Sequence, residues 1–597
     1  MAMVINPKNP RLNHAVPLLL VVVLPQLLLL ASSLLAYDLN HDDHQLAGKL
    51  MMASAPAPSA VPDDYDPCAG DPPIPSGLTP KLTRKMFPSH FVFGTATSSY
   101  QIEGAANKSC RGPSIWDRFT HKFPDRIADG TTGDQAINSF EFFEDDINRM
   151  KAMNMEAYRF SISWSRVIPH GKRRRGLSTE GLEFYDKVID RTIAAGMKPY
   201  VTIFHWDTPQ ALADEYGGFL SRNIVDDFRD YADLLFERYG DKVEKWITLN
   251  EPWTYVVKGF EEGVFAPGRC SDWVNRACQA GDSAVEPYRV AHHLLLAHAE
   301  AVKLYREKYQ FKAGRKLGEI GITLVTFWFK PYSDSQADND AAERAMDFMF
   351  GWFMNPVTYG HYPRTMKDLL GQRLPEILVH EADMLRNSYD FLGLNYYTTY
   401  YAKDNPNLNL LKLRYATDSR VIQTPIKDGK PIGEKASSWL YIYPEGIRKL
   451  LNYTKRTYGS PVIYITENGV SEEDDPTTSI VEATNDKRRI KYYHKHLHNV
   501  LEANKTDKVD VRGYFAWSYA DNFEWADGYT SRFGLYYIDF QDPKFSRIPK
   551  SSACWFKRFL QTPSPHASQD NDDQELILLP VSGIVNRALP RALRFSY

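Results

Sequence analysis

The chain has 597 residues, of which 43% are hydrophobic and 24% are charged, and its formal net charge is -3. This composition indicates a globular protein with a large core and excludes collagen-like and intrinsically disordered polymers. The small net charge provides no field that would hold a polyanion, so we expect no nucleic-acid partner. The one basic cluster, residues 172–175, is flanked by glycines and is predicted to be a solvated turn.

The amino-terminal segment, residues 1–36, has the pattern of a secretory signal peptide. Lys8 and Arg11 precede an apolar stretch over 15–36 that ends in small residues. A membrane anchor is the alternative, but Pro25 interrupts the stretch, so we expect cleavage and no stable membrane association afterwards. This predicts entry into the secretory pathway, with the extracellular space, the vacuole or the lumen of the endoplasmic reticulum as destinations.

Residues 37–85 are rich in proline, alanine and aspartate and have little periodic apolar content. We therefore predict a disordered linker on which catalysis does not depend. The folded domain is predicted over residues 86–562. A polar, flexible carboxyl-terminal extension is predicted over residues 563–597.

The glycosylation sequons and the cysteines are consistent with a lumenal route. The Asn-x-Ser/Thr sequons, which are acceptors for N-linked glycans, are at Asn107, Asn452 and Asn504. Cys270 and Cys278 bracket a short polar loop, and we expect them to form a disulfide in an oxidising compartment. The cysteines that remain unassigned are Cys68, Cys110 and Cys554. None of these lies in a Cys-x-x-Cys or histidine-containing ligand pattern, so no metal site is predicted.

Eight short β-like runs, each followed by a helical or loop segment, divide the domain. They are residues 91–97, 158–164, 199–206, 245–250, 319–325, 389–397, 462–467 and 511–517. Near-continuous apolar strands are what a parallel sheet buried on both faces requires. Helical patterns such as 224–239 and 287–309 lie between the runs, so the α/β alternation predicts a (β/α)8 TIM barrel. An open doubly wound sheet is disfavoured, because residues 94–97 lack the further glycines of its phosphate-binding turn.

Polar and aromatic side chains follow these runs, where a barrel would bring them to one opening. Two of the runs end in a glutamate, Glu251 and Glu467, and two facing carboxylates are the usual machinery for breaking a glycosidic bond. The alternative is that both are solvated acids at strand ends. The other residues at this end are Gln101, Arg159, His205, Trp206, Asn250, Asn395, Tyr397, Trp517, Glu524 and Trp525.

Cleavage of an acetal requires one group that protonates the departing oxygen and another that captures the oxocarbenium-like carbon. The nucleophile must stay ionised, and Arg159 and Tyr397 are the candidates to support Glu467 in that state. Sugar hydroxyls would be held by polar side chains and a stacked ring, namely Gln101, His205, Asn250, Glu524 and the platform Trp517. For His205 and Trp517, a purely structural role in the core is the alternative.

These motifs resemble glycoside hydrolase family 1, and within it the plant β-glucosidases. The resemblance covers about residues 87–560 and is carried by the motifs at 159–166, 204–207, 248–252, 465–469 and 521–525. It implies a (β/α)8 barrel, no cofactor, and retaining double displacement with Glu251 as acid/base and Glu467 as nucleophile. It also implies a glycone site made by Gln101, His205, Asn250, Glu524 and Trp525. Together with Tyr397 and Trp517, these residues make up the predicted substrate-binding set. Retention requires the two carboxyl groups to lie about 5 to 5.5 Å apart.

The resemblance implies hydrolysis of terminal β-D-glucosyl residues from plant secondary-metabolite glycosides, a reaction of plant defence. Related myrosinases carry glutamine where this chain has Glu251, which favours an O-glucoside. Some plant relatives cleave glucosinolates while retaining both glutamates, and residues 270–283 resemble their sequence, so a thioglucosidase is the alternative. A pseudoenzyme that only binds glycosides would have lost one of the two acids and is disfavoured.

By the same resemblance, the aglycone pocket is formed by Lys258, Phe265, Trp439 and Ala526. Aromatic side chains there would grip a flat phenolic or indolic group. Our hypothesis is that Lys258 selects aglycones with an acidic or sulfated substituent, the alternative being a solvent-facing lysine. The predicted partner is therefore a small-molecule glycoside, and the choice between a monomer and a homodimer stays open.

Overall fold

The computed structural model describes residues 65, 67–69, 78, 82–312, 314–407 and 412–561. The predicted signal peptide and the predicted carboxyl-terminal extension lie outside these residues, as does most of the predicted linker. The fold described below belongs to the first of two units of the chain, which ends at Leu560. Within the described ranges, no helix combines the length and the apolar character needed to cross a membrane.

Eight parallel strands close into a barrel in which each strand pairs with its neighbours in sequence and β8 returns to β1. The strands are β1 (Val92–Ala96), β2 (Ala157–Ser161), β3 (Lys198–Phe204), β4 (Lys245–Asn250), β5 (Glu319–Val325), β6 (Phe391–Asn395), β7 (Ile463–Asn468) and β8 (Val511–Trp517). All eight predicted strands and the (β/α)8 TIM barrel are thereby confirmed. Nearly every residue in them is buried, as expected for strands covered on both faces.

Helices alternate with the strands and cover the outside of the barrel. The main ones are α1 (Ser139–Ala152), α2 (Thr179–Ala194), α3 (Asn223–Tyr239), α4 (Glu286–Leu304), α5 (Gln336–Met346, continuing through a π-turn into Trp352–Tyr359), α6 (Glu445–Thr457), α7 (Lys487–Lys505) and α8 (Ser551–Phe559). The predicted helices over 224–239 and 287–309 correspond to α3 and α4. In α3, buried residues recur every three or four positions, which gives the helix one apolar face for the barrel.

Shorter elements occupy the connections. The short helices are Ser99–Ile102, Ile115–Lys122, Trp164–Val167, Gln210–Tyr216, Pro252–Phe260, Arg364–Leu370, Val379–Leu385, Tyr415–Asp418 and Ile480–Thr484. A three-stranded sheet of Trp328–Pro331, Thr399–Asp404 and Val421–Thr424 follows the carboxyl ends of β5 and β6. Two-stranded pairs are formed by Phe311–Lys312 with Arg315–Lys316, Ile426–Lys427 with Lys430–Pro431, Glu434–Lys435 with Tyr441–Ile442, Glu472–Glu473 with Ser531–Arg532, and Tyr536–Ile538 with Arg547–Pro549.

Aromatic side chains fill the inside of the barrel below the functional end. Tyr200 on β3 lies 4.8 Å from Phe515 on β8 and 5.5 Å from Tyr464 on β7, measured between ring centroids. Because β3 is not adjacent to β7 or β8 in the sheet, these rings meet across the interior. A Cβ on Gly94 of β1 would lie 2.6 Å from the Phe515 ring, so only glycine leaves room for it. The barrel is therefore a packed core, and polar chemistry is left to its open end.

The pairing register shifts in both strands that lead to the predicted catalytic glutamates. In β4 the shift against β5 falls between Ile247 and Asn250, and in β7 the shift against β6 falls between Ile465 and Glu467. Irregularities of this kind are common beside functional sites, where they change the direction of a side chain. The sequence pattern gave no indication of them.

Two disulfides are present, and one of them was not predicted. Cys270–Cys278 confirms the expected bridge, whereas Cys68–Cys554 joins residues 486 positions apart. The latter ties α8 to the segment predicted as a disordered linker. Leu82 in that segment is buried, so these described residues of the predicted disordered linker are anchored to the fold.

The basic cluster at 172–175 is also less exposed than predicted. Lys172 is only 7% exposed and pairs with Glu215 at 2.5 Å. Arg173 pairs with Asp233 and Glu237 of α3 at 2.9 and 2.5 Å. The prediction of a solvated turn is therefore wrong for Lys172, because neighbouring acidic side chains offset the charge and allow it to be covered.

Candidate active site

Glu467 lies on β7 and is held by a cation and a hydroxyl group. Its Oε1 accepts a hydrogen bond from Arg159 Nη1 at 2.5 Å, and its Oε2 accepts one from the Tyr397 hydroxyl at 2.7 Å. Arg159 on β2 is fully buried and Glu467 is 3% exposed, so the ion pair is screened little by water. Both contacts stabilise the negative charge of this carboxylate.

Glu251 lies directly after β4, where the chain turns into the helix Pro252–Phe260. Its backbone is left-handed, with φ 43°, and Pro252 at the first helical position fixes the helix start. Its Oε1 accepts from Asn395 Nδ2 at 2.6 Å and its Oε2 accepts from Thr254 Oγ1 at 2.7 Å. Burial and the negative charge of Glu467 raise the pKa of Glu251 to about 8, so this carboxyl group is largely protonated at neutral pH.

Asn250 joins the two acids in one hydrogen-bond network. Its Oδ1 accepts from Arg159 Nη2 at 2.6 Å and from Asn395 Nδ2 at 3.3 Å. Arg159 in turn contacts Glu467, and Asn395 contacts Glu251. Two buried carboxyl groups with opposite electrostatic surroundings thus share a single site at the carboxyl ends of the strands. This is the arrangement needed for one acid and one nucleophile.

His205 follows β3 and is a neutral hydrogen-bond donor. Because Asn250 Oδ1 faces Arg159, the amide nitrogen of Asn250 faces His205 Nε2, 3.0 Å away. Nε2 must therefore accept, and the ring proton lies on Nδ1. Burial and the charge of Arg159 hold the pKa of His205 well below its usual value. Nδ1 is buried and has no hydrogen-bond partner within the described residues, which leaves its N–H for a ligand hydroxyl.

Gln101 and Glu524 form a second polar group at this end of the barrel. Ser98 Oγ donates to Gln101 Oε1 at 2.6 Å, and Gln101 Nε2 donates to the Phe523 carbonyl at 2.9 Å. The same nitrogen lies 3.5 Å from Glu524 Oε2. Burial, followed by the negative charges of Asp527, Glu467 and Glu251, raises the pKa of Glu524 well above its usual value. The ionisation of Glu524 is therefore coupled to that of the two central acids.

Aromatic rings flank the polar network. The ring of His205 is nearly parallel to Trp517, at the end of β8, and to Trp525, with centroids 6.1 and 5.9 Å away. Trp206 lies 4.5 Å from Trp525 and 5.9 Å from Phe265. Phe265 from the predicted aglycone set therefore adjoins the predicted glycone set. Such ring faces suit the apolar faces of sugars and flat aglycones.

The other predicted aglycone residues differ in how they relate to the site. Trp439 meets Tyr397 edge to face at 5.7 Å, and Ala526 is half-buried directly after Trp525. Lys258 Nζ donates to Glu262 at 2.7 Å, one helical turn away. Its charge is thus offset by a carboxylate just beyond the end of its own helix, which weakens the hypothesis that it selects anionic aglycones.

Two contacts of Glu251 were not predicted from the sequence. Asn395 was expected at the opening but without a role, and Thr254 was not singled out. The signal for Thr254 is its place three residues after Glu251, in the first helical turn, where its side chain faces back toward the turn before it. Among the described residues, no group of three or more His, Cys, Asp or Glu side chains is arranged to hold a metal ion.

The three sequons differ in exposure. Asn107 is exposed. Asn452 Nδ2 donates to the Arg448 carbonyl and to Asp507, and Asn504 Nδ2 donates to two backbone carbonyls. Only Asn107 therefore presents an amide that is not held by hydrogen bonds of this kind.

Comparisons with known proteins agree with this geometry. A family model described as Glycosyl hydrolase family 1 matches residues 83–564. The chain is 52% identical over 493 residues to β-glucosidase 12 of Oryza sativa subsp. indica, covering 82% of this chain and 94% of the relative. It is 48% identical over 531 residues to the raucaffricine-O-β-D-glucosidase of Rauvolfia serpentina, covering 84% and 97%.

Solved structures are similar to this chain over most of its length as well. A rice Os3BGlu6 β-glucosidase mutant in a covalent complex with Glc is 47% identical with a TM-score of 0.79, covering 81% of this chain and all of that chain. An aphid myrosinase is 35% identical with a TM-score of 0.72, covering 79% of this chain and 98% of that chain.

Proposed function

This chain belongs to glycosyl hydrolase family 1, and we propose that it is a retaining β-glucosidase that removes terminal β-D-glucosyl residues from plant secondary-metabolite glycosides. The observation that carries the proposal is the single buried network in which Glu251 has a raised pKa while the Glu467 carboxylate accepts hydrogen bonds from Arg159 and Tyr397. The relatives from rice and Rauvolfia, one of them named for an O-linked β-D-glucoside, support the substrate class.

In the first step, a carboxylate oxygen of Glu467 attacks the anomeric carbon of the glucoside. The bond from that carbon to the aglycone oxygen breaks, and the carboxyl proton of Glu251 passes to the departing oxygen. The product is a glycosyl ester on Glu467 and a free aglycone alcohol. Arg159 and Tyr397 hold the carboxylate in place for the attack and stabilise its charge when it departs in the second step.

In the second step, Glu251 acts as the base. Once Glu467 is an uncharged ester, one cause of the raised pKa of Glu251 is gone, so its ionised form is favoured. Glu251 then takes a proton from water as the water oxygen attacks the anomeric carbon. The ester bond breaks, glucose leaves with retained configuration, and Glu467 is again a carboxylate.

We assign the predicted substrate-binding set to the glucose ring on the basis of its position around the two acids. His205 offers the N–H of Nδ1 and Glu524 offers carboxyl oxygens to hydroxyl groups. Trp517 and Trp525 supply ring faces that are nearly parallel to the ring of His205. Gln101 and Asn250 are already fixed by protein partners, so they would bind without the cost of ordering a free side chain.

The thioglucosidase alternative receives less support than the O-glucosidase. The myrosinase from aphid is 35% identical to this chain, against 48 to 52% for the β-glucosidases of rice and Rauvolfia. A thioglucoside aglycone leaves readily without a proton, whereas an O-glucoside aglycone requires one. A buried Glu251 with a raised pKa is suited to the second case.

Hydrolysis of a nitrophenyl β-glucoside tests the proposed function. Glu467→Gln should abolish turnover, while Glu251→Gln should spare substrates with activated leaving groups and be rescued by azide, which needs no base. Glu381→Gln is the matched control, since Glu381 is equally buried but pairs with Arg222 outside the network. Unchanged turnover in Glu467→Gln would refute the assignment.

We further propose that the protein enters the secretory pathway, loses its signal peptide and then stays free of the membrane. Two disulfides support an oxidising compartment. Expression in a secretory host followed by amino-terminal sequencing tests the cleavage, and a mature protein that still begins at Met1 would refute it. Light scattering of the mature protein distinguishes the monomer from a homodimer.

A further inference from the structure

A chain of buried side chains leads from the middle of the barrel to Glu251. Thr323 Oγ1 on β5 donates to Thr466 Oγ1 on β7 at 3.3 Å, and Thr466 Oγ1 donates to Asn395 Oδ1 on β6 at 2.7 Å. Asn395 Nδ2 then donates to Glu251 Oε1 at 2.6 Å. All three of these polar residues before Glu251 are fully buried, so their hydrogen bonds do not exchange with water.

The space for this chain depends on a glycine. A Cβ on Gly393 of β6 would collide with Thr323 Oγ1 and with the side chain of Thr466. Gly393 stands two residues before Asn395, on the same face of the strand. The absence of a side chain there lets the two threonine hydroxyls meet and face the Asn395 amide.

The orientation of the Asn395 amide is therefore determined. Its oxygen accepts from Thr466, which leaves both N–H groups to face acceptors, Glu251 Oε1 and Asn250 Oδ1. An amide N–H can only donate, so Oε1 of Glu251 always meets a donor. Thr254, on the other oxygen of Glu251, has a hydroxyl that can rotate and either donate or accept.

We propose that Thr466 and Asn395 are positioning residues that keep Oε1 of Glu251 as an acceptor, so that the proton transferred to the aglycone is carried on Oε2. This inference rests on the proposed function and deepens it, because it assigns the two oxygens of the acid/base different roles. When Glu251 is protonated, Oε2–H is matched by a Thr254 hydroxyl that accepts. When Glu251 is ionised, the same hydroxyl donates.

The charged groups that face Glu251 from the surrounding strands and loops also affect its pKa, so a test by pH must keep them unchanged. They are Glu467 from β7, Arg159 from β2 and Glu524 from the loop after β8, with the neutral side chains of His205 and Tyr397 beside them. None of these is altered by substitutions at Thr466, Asn395 or Thr254. A shift in the titration of Glu251 in such variants therefore reports the hydrogen bonds themselves.

The experiment compares the pH dependence of kcat/KM for a nitrophenyl β-glucoside, whose basic limb reports the protonated acid/base in the free enzyme. Asn395→Ala removes a donor-only group from the ionised carboxylate and should move the basic limb up by about one pH unit or more. Thr466→Val should move it in the same direction by less, because Asn395 keeps its place but loses its anchor. Thr254→Val should move it least, although its contact with Glu251 is as short.

Two controls separate positioning from a general loss of structure. Thr466→Ser keeps the hydroxyl and should return the limb to the wild-type position. Thr95→Val removes an equally buried threonine hydroxyl, which donates to the Ala516 carbonyl, and should leave the limb in place. A purely structural role for Thr466 would lower the rates without moving the limb.

The inference is overturned if active Asn395→Ala and Thr466→Val keep the wild-type basic limb, or if Thr254→Val shifts it further than Asn395→Ala. If Asn395→Ala fails to fold, the comparison of Thr466→Val with Thr466→Ser tests the inference alone. Failure of the proposed function looks different, because the wild-type protein would then show no turnover of the glucoside at all.

Discussion

The raised pKa of Glu251 should depend on the charge of Glu467, and replacing that charge gives a direct test. Burial is the first cause of the shift and the negative charge of Glu467 is the second. For two carboxyl groups about 5.5 Å apart, as retention requires, an effective dielectric constant of about 20 gives an interaction of about 3 kcal/mol. That energy corresponds to about 2 pH units.

Glu467→Gln should therefore lower the pKa of Glu251 by about 2 from its value of about 8, while burial keeps it above the ordinary value of 4.5. The unpaired Arg159 left by this change acts in the same direction. The variant is expected to be inactive, so the pKa is measured by carbon-13 NMR of protein labelled at the glutamate carboxyl carbon. The double variant with Glu251→Gln identifies the signal by its loss.

Glu381→Gln serves as the control, since it removes a buried carboxylate outside the network and should leave the titration of Glu251 unchanged. If the pKa of Glu251 stays at about 8 in Glu467→Gln, burial alone raises it. The two acids would then be too far apart for a retaining reaction, and the reasoning would be refuted.

Four other perturbations have expected outcomes. Tyr397→Phe removes a hydroxyl that donates to Glu467 at 2.7 Å. The hydrolysis of the glycosyl-enzyme should therefore slow by about 10-fold or more, measured as steady-state kcat with an activated aryl glucoside. An unchanged kcat would argue against a role of Tyr397 in charge stabilisation. Lys258→Ala should leave the ratio of kcat/KM for anionic aglycones to kcat/KM for neutral aglycones unchanged, because the lysine already pairs with a carboxylate. A fall in that ratio would restore the hypothesis that Lys258 selects anionic aglycones. Cys68→Ser should lower the free energy of unfolding by about 2–5 kcal/mol, which is detected as a lower midpoint in guanidinium unfolding. Cys110→Ser is the control and should leave the midpoint unchanged. Glycopeptide mass spectrometry after expression in a secretory host should find a glycan at Asn107 and none at Asn452 or Asn504, whose side-chain amides donate hydrogen bonds within the protein. Full occupancy of Asn452 and Asn504 would contradict the argument from hydrogen bonding.

The barrel could be predicted from the sequence because its strands are short, apolar and buried on both faces. Such runs differ from the amphipathic helices between them in period and in residue type, as β7 and α3 illustrate. Once the strands are in order, the topology brings their carboxyl ends together. For this reason Glu251, Glu467 and the polar residues around them could be expected at one opening.

Other features depend on tertiary contacts that no local pattern encodes. The Cys68–Cys554 bridge joins residues 486 positions apart, and the pairing of Lys172 with Glu215 requires a loop to meet the helix Gln210–Tyr216. The hydrogen bond from Asn395 to Glu251 depends on side-chain rotamers and on a register shift in β4. These contacts follow from the packed structure, and the sequence could only place the residues on the correct elements.

The Cys68–Cys554 bridge has a consequence for how the protein is made. Its first thiol emerges from the ribosome early, and at about 5–20 residues per second the partner, 486 positions later, follows only after roughly 25 to 100 seconds. During that time Cys110, Cys270 and Cys278 appear first and are available for wrong pairing with it. In an oxidising lumen, the pairing of Cys68 with Cys554 therefore depends on thiol exchange that reopens any disulfide that Cys68 has formed earlier.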